Sequence, residues 1–121
     1  MDTLKIAMIV AFLKEFKRLV AESDVDIFVK RKEYQDAFVE LGIAISDAYN
    51  VLMSLSIDNY CSGPEPDKDR PGTGSIWEFG TETDGKEVYI KLKIVESGDK
   101  KYAKCISFHR AKYPIDYPLK K

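Results

Sequence analysis

The chain contains a single histidine, His109, within the segment CISFHRAKYP at residues 105–114. Imidazole is the side chain whose ordinary pKa lies nearest neutrality, so it can exchange a proton under physiological conditions. The alternating segment EVYIKLKI, at 87–94, supplies a phenol and two ammonium groups through Tyr89, Lys91 and Lys93. Glu78 lies in the earlier segment IWEFG. A proton carrier, a carboxylate and paired cations are the groups that acid–base cleavage of a phosphodiester requires.

Neighbouring strands would have to bring these groups together. SIWEFG, KEVYIKLKIV and YAKCISFH predict three strands joined by tight turns, one of them at Asp84-Gly85. Successive side chains of a strand point to opposite faces, so the pattern separates an apolar face from a polar one. The apolar face would hold Trp77, Phe79, Val88, Ile90, Leu92, Ile94, Ile106 and Phe108, with Lys104 at its edge. The polar face would hold Glu78, Tyr89, Lys91, Lys93, Ser107 and His109.

The polar face has the composition needed for RNA cleavage without a metal. Glu78 or His109 could remove the proton of a ribose 2′-hydroxyl, and His109 or Tyr89 could protonate the leaving oxygen. Lys91 and Lys93 could hold the phosphoryl oxygens. The hairpin turns predict that Glu78 and Ser107 lie near Tyr89, and Cys105 near Lys91. A simpler interpretation remains open, because exposed sheet faces commonly carry lysine, glutamate and tyrosine.

The strands form this face, and the predicted helices come before them in the chain. Helices followed by strands are typical of the α+β class. Apolar residues at helical spacing predict helices over 3–22 and 32–41 and a third that begins at Ser46 and Asp47. The sequence predicts one domain over 1–121, with a helical part at 1–56, a loop at 57–75, a three-stranded antiparallel sheet at 76–110 and an extended tail at 111–121. The loop carries Arg70, which could fold over the site as a further clamp.

Charge and cysteine content limit the classes of function. Residues 1–85 hold nine Lys/Arg against 16 Asp/Glu, and residues 86–121 hold ten against four. A basic C-terminal segment suits a polyanion, although most such charges only solvate a surface. Cys61 and Cys105 form no metal-binding spacing, and the carboxylates around the one histidine give no ligand pattern, so we expect no cofactor. The apolar stretch AMIVAFL is too short for a membrane span, and we expect a cytoplasmic protein.

Three longer stretches resemble a known family. They are LSIDNYCSGPEPDKDRPG at 55–72, IWEFG followed by EVYIKLKI at 76–80 and 87–94, and CISFHRAKYPIDYP at 105–118. In this order they are similar to the MqsR-type toxins of bacterial toxin–antitoxin systems, which are mRNA interferases. The resemblance covers about 41–118. The preceding helices agree with the family in secondary structure more than in residue identity.

The resemblance implies a RelE-like α+β fold and cleavage of single-stranded mRNA at short sequences. It also implies a cognate antitoxin protein as partner. The matching site positions are Glu78, Tyr89, Lys91 and His109. An antitoxin strand could compete with the tail, which we expect to lie over the sheet edge.

Two questions stay open from the sequence. Tyr60 could stack on an unpaired RNA base or close the core after the third helix. The whole chain could be a nuclease, or a non-catalytic toxin homologue that docks a protein partner or RNA without cutting it.

Overall fold

The computed structural model describes residues 2–23, 27–28 and 31–120, with the backbone alone at Arg31. Positions 1, 24–26, 29–30 and 121, which belong to the predicted helical part and tail, lie outside the described residues. Over the described residues, three α-helices precede a four-stranded antiparallel sheet of order β1-β2-β3-β4. The elements are α1 (Thr3–Glu22), α2 (Arg31–Leu41), α3 (Ile45–Ser54), β1 (Tyr60–Pro66), β2 (Ser75–Thr83), β3 (Lys86–Ser97) and β4 (Lys100–Arg110).

The first helix follows the predicted apolar stripe. Ile9, Phe12 and Phe16 recur at helical spacing and are buried. The Phe12 ring stacks on Trp77 of β2 with 4.9 Å between ring centroids. The Asp2 carboxylate accepts a hydrogen bond from the backbone N–H of Leu4 at 2.9 Å, which satisfies one of the free donors at the helix start. The predicted bounds of 3–22 are confirmed.

The second and third helices also lie where the sequence predicts them. Gly42 follows α2 with a φ of +71°, the left-handed conformation that often ends a helix. The helix α3 begins at Ile45, one residue before the predicted start, because the Asp47 carboxylate accepts a hydrogen bond from the Ala44 N–H at 2.8 Å. No helix among the described residues is long and apolar enough to cross a membrane.

The sheet has one strand more than the sequence predicts. The predicted loop at 57–75 contains β1, which pairs antiparallel with β2. Gly63, Pro64 and Pro66 made this segment resemble a loop, but proline is tolerated in an edge strand, where one side of the backbone needs no partner. The prediction of three strands is therefore wrong, and the irregular segment shortens to residues 67–74.

The β2–β3 hairpin forms as predicted. Asp84 and Gly85 both adopt positive φ, at 51° and 77°, which matches the tight two-residue turn that joins twisted strands. The register places Glu78 opposite Lys91 and Gly80 opposite Tyr89. Glu78 is thus two pairs further from the turn than the expected position beside Tyr89.

A bulge in β4 changes the predicted faces. The pairing shifts between Lys91, which lies opposite Ser107, and Leu92, which lies opposite Cys105. Ile106 is therefore the extra residue on β4. A bulge of this kind reverses the side to which the preceding residues point, because side chains alternate with a period of two.

Three predictions are corrected by this bulge. Cys105 is fully buried opposite Leu92 instead of lying beside Lys91 on the polar face. Lys104 lies opposite Lys93 on the polar face, and not at the edge of the apolar face as predicted. Ile106 is only partly buried and lies outside the core.

The core fills the space between the helices and the other face of the sheet. The Phe28 ring meets Phe38 and Phe108 edge-on, with 5.5 Å and 6.0 Å between centroids. The Tyr34 hydroxyl donates to the Cys105 carbonyl at 2.6 Å, and the Cys105 N–H donates to the Ile27 carbonyl at 3.1 Å. These contacts cover the outer edge of β4 and fix the strand that carries His109.

Candidate active site

The polar face of the sheet is covered at both ends and open in the middle. The segment 67–74 lies over one end, and the tail, residues 111–120, lies over the other. Between them five side chains remain partly exposed, and we call this group the open window. Its members are Glu78 on β2, Tyr89 and Lys91 on β3, and Ser107 and His109 on β4.

At the first covered end, Lys93 is buried and already has partners. Its Nζ donates to the Asp67 carboxylate and to the Thr73 hydroxyl, both at 2.6 Å, and the residue is 1% exposed. Asp67 also accepts hydrogen bonds from the backbone N–H groups of Asp69 and Arg70. The predicted role of Lys93 in holding substrate is therefore corrected: it lies on the predicted face but anchors the segment above it.

At the second covered end, the tail is held by Glu87 of β3. The carboxylate accepts hydrogen bonds from the Ile115 N–H at 2.9 Å and the Tyr117 hydroxyl at 3.1 Å. Gly80 allows the tail to approach the sheet, since a Cβ there would lie 2.7 Å from both Ile115 Cδ1 and the Tyr117 hydroxyl. The tail thus lies on the polar face of β2 and β3, whereas the sequence predicted it at the sheet edge.

The window brings four predicted groups together in a definite order. Glu78 and Ser107 flank Lys91, one from each neighbouring strand, and His109 lies opposite Tyr89. The rings of Tyr89 and His109 have centroids 5.3 Å apart. Ser107 is thus paired with Lys91, two pairs away from its predicted neighbour Tyr89.

Tyr89 remains protonated in this setting. Its partial burial, and then the charge of Glu78 and a hydrogen bond to it, raise the pKa of the Tyr89 phenol well above its ordinary value. A protonated phenol donates a hydrogen bond and does not act as a base at neutral pH. Tyr89 is therefore suited to hold or protonate an oxygen.

His109 keeps one ring nitrogen available. Its Nδ1 lies 2.9 Å from the backbone carbonyl of Arg110. A carbonyl only accepts hydrogen bonds, so this contact requires a proton on Nδ1. The Nε2 atom then carries a lone pair in the neutral ring and a proton in the cation. The same atom can take a proton or give one to a substrate.

Glu78 has a partner that the sequence did not indicate. The Ser62 hydroxyl of β1 donates to its carboxylate at 3.0 Å, because the two residues are opposite each other across the β1–β2 ladder. Reading 57–75 as a loop concealed this neighbour. Cys61, which also lies in β1, lines the cleft beside Tyr89 and His109 and was likewise missed as a site residue.

Lys91 is the lysine of the window. Within the part of the chain that the structure describes, its Nζ forms no ion pair, and its contact with the Tyr89 ring is at 6.0 Å. Lys91 and Arg70 line one cavity of about 360 Å³ between the window and the segment 67–74. Arg70 is therefore placed near the site, as predicted, although its side chain is exposed.

Tyr60 does not face the window. It is 5% exposed, its hydroxyl donates to the Gly63 carbonyl at 2.6 Å, and its ring meets Trp77 edge-on. Of the two roles that the sequence left open, the structure supports the one in which Tyr60 closes the core, because its buried ring is not available to stack on an RNA base.

Comparison with known proteins gives no match to a family model, a curated protein or a solved structure. Among the described residues, no group of three or more His, Cys, Asp or Glu side chains is placed to hold a metal ion. The arrangement of the window itself is therefore the basis for a functional proposal.

Proposed function

We propose that the protein is a sequence-selective endoribonuclease that cleaves single-stranded mRNA without a metal ion. One observation carries the proposal. The two candidate proton-transfer groups, Glu78 and His109, lie on the strands at either side of β3, and β3 itself presents Lys91 and Tyr89 between them. Adjacent strands are about 4.8 Å apart and Glu78 and His109 are also offset by two residues along the strands, so their backbones are separated by about 12 Å on the diagonal that passes over Lys91 and Tyr89.

This separation suits an in-line displacement at phosphorus. The attacking and leaving oxygens of a phosphoryl transfer lie on opposite sides of the phosphorus atom. A phosphate over Lys91 and Tyr89 would have Glu78 towards one side and His109 towards the other. The ammonium and the protonated phenol can then donate to the non-bridging oxygens, where negative charge increases in the transition state.

The reaction proceeds with the following transfers. Glu78 takes the proton of the ribose 2′-hydroxyl, and the 2′-oxygen forms a bond to phosphorus. The bond from phosphorus to the 5′-oxygen breaks, and His109 Nε2 gives its proton to that oxygen. The products are a 2′,3′-cyclic phosphate and a free 5′-hydroxyl. The other assignment, with His109 as base and Tyr89 as acid, uses residues of the same window but takes both groups from one cross-strand pair.

The resemblance to MqsR-type toxins supports the biological setting of this proposal. On that basis the chain has a RelE-like fold, acts in the cytoplasm and is neutralised by a cognate antitoxin. The stretches that carry the resemblance include the window residues Glu78, Tyr89, Lys91 and His109.

The direct test is cleavage of a long single-stranded RNA by the purified protein in EDTA. We expect fragments that end in a 2′,3′-cyclic phosphate, and we expect the same RNA with a 2′-deoxy nucleotide at the mapped cut to resist cleavage there. His109→Ala should lower the rate by about 10²–10⁴-fold. Lys100→Ala is the matched control for a lost charge, because Lys100 is exposed at the far hairpin of β4.

Two results would overturn the proposal. Cleavage that stops in EDTA and returns with a divalent cation would show a metal-dependent reaction. An intact RNA that the protein binds but does not cut would favour the alternative of a non-catalytic binding module.

A further inference from the structure

A cleft of about 290 Å³ adjoins the open window on the side of the tail. Tyr89 and His109 form its inner wall, so it is continuous with the candidate active site. The tail residues Tyr113, Pro114 and Ile115 form its outer wall. Aromatic and aliphatic groups thus line a cleft that includes the proton-transfer group His109.

The floor of the cleft is uncharged. Cys61 contributes to the lining, and burial raises the pKa of its thiol, which therefore stays neutral. Apart from His109, the charged residues that line the cleft are Lys112 and Asp116, which are exposed in the tail. An apolar slot with one donor and one acceptor at its rim matches the chemistry of a nucleobase, which has an apolar face and polar edges.

Tyr113 is free to serve as a stacking surface. It is 81% exposed although it lines the cleft. Exposed aromatic rings beside a nucleic-acid path are typical stacking platforms for unpaired bases. The tail is fixed to β3 through Glu87, so this ring is carried by an anchored segment.

We infer that this cleft is a nucleobase subsite and that it receives the base on the 3′ side of the scissile phosphate. The inference rests on the proposed function. His109 lines the cleft and protonates the 5′-oxygen, and that oxygen belongs to the nucleotide on the 3′ side. The base of that nucleotide is therefore the group that reaches the cleft when the phosphate lies over Lys91.

The test uses short single-stranded RNAs that carry one 2-aminopurine, placed at each position in turn, with a 2′-deoxy nucleotide at the mapped cut so that none is cleaved. We expect the largest change in fluorescence when the probe base is on the 3′ side of the cut. Tyr113→Ala should remove that change and weaken binding by about tenfold. Tyr102→Ala is the matched control, since Tyr102 is 48% exposed on β4 and does not line the cleft.

A cleavage measurement tests the proposed subsite independently of the fluorescence. Removing the base on the 3′ side of the cut should lower the rate at which the natural protein cleaves the RNA. The same removal should have little further effect on cleavage by Tyr113→Ala, because both changes delete the same contact. Active protein that is indifferent to this base, or a probe signal that is largest on the 5′ side, overturns the subsite and leaves the nuclease intact. If the protein cuts no RNA and no cut can be mapped, a Tyr113-dependent signal from probes placed along an unmodified RNA upholds base binding and overturns the nuclease.

Discussion

Two lysines of β3, Lys91 and Lys93, show how one face of a sheet can serve two purposes. They are two residues apart, point to the same side, and have the same predicted role. Lys93 is buried with Asp67 and Thr73 as partners, whereas Lys91 is partly exposed in the window and forms no ion pair within the described residues. The covering segment, and not the strand, decides whether each ammonium anchors the fold or is free to meet a substrate.

The largest expected difference between them is in catalysis. Lys91→Met should lower RNA cleavage by about 10²–10³-fold, because it removes a cation from the position where charge increases in the transition state. Lys93→Met, measured at a temperature where it is folded, should retain much more of the activity. Rates for both variants on one RNA check this, and equal losses would contradict the division between the two lysines.

Stability should show the opposite order. Lys93→Met leaves the Asp67 carboxylate without its cation under the segment 67–74, and breaking a buried pair is far more harmful than changing an exposed residue. We expect its decrease in the free energy of unfolding to be about threefold or more that of Lys91→Met. Urea unfolding of the two variants and the natural chain measures it. A similar midpoint for both would show that the pair contributes little.

Arg70 tests whether the anchored segment assists the window. Its backbone N–H is fixed by Asp67, while its side chain is exposed beside the cavity that it shares with Lys91. Arg70→Ala should raise KM by about three- to tenfold and change kcat little, since it removes a cation that attracts RNA. Lys68→Ala, also exposed on this segment, is the control. A loss confined to kcat would place Arg70 among the groups that contact the transition state.

A smaller effect concerns the stability of the fold at low pH. The hydrogen bond from Lys93 lowers the pKa of Asp67 below its ordinary value of 3.8. A carboxyl group whose pKa is lower in the folded state stabilises the fold fully above its unfolded pKa and loses that contribution as the pH falls through the folded value. The natural chain should therefore lose more stability than Asp67→Asn as the pH falls below about 4. Parallel acid unfolding curves for the two proteins would contradict this.

The sequence predicted the elements that local patterns determine. The apolar stripe of α1 and the Asp84-Gly85 turn follow from helical spacing and from backbone preferences at the turn, and both are confirmed. The side on which Glu78, Tyr89, Lys91 and His109 lie also follows from alternation along each strand.

The missed features depend on contacts between distant parts of the chain. The strand β1 exists because β2 pairs with it, which its Gly and Pro residues do not suggest. The bulge at Ile106 depends on how β4 meets β3 and on the contacts that hold Cys105 from the other side. The partner of Lys93 is 26 residues earlier in the chain, so no pattern within β3 reveals it. Alternation gives a face, but it does not show which part of that face another segment covers.

Gly80 has a consequence for how this protein could be altered. Because a methyl group there would meet the ends of the Ile115 and Tyr117 side chains, a single alanine in β2 would force these two side chains aside without changing any residue of the tail or of the window. Position 80 thus acts on the attachment of the tail to the sheet, and a larger side chain placed there would disturb that attachment more than alanine does.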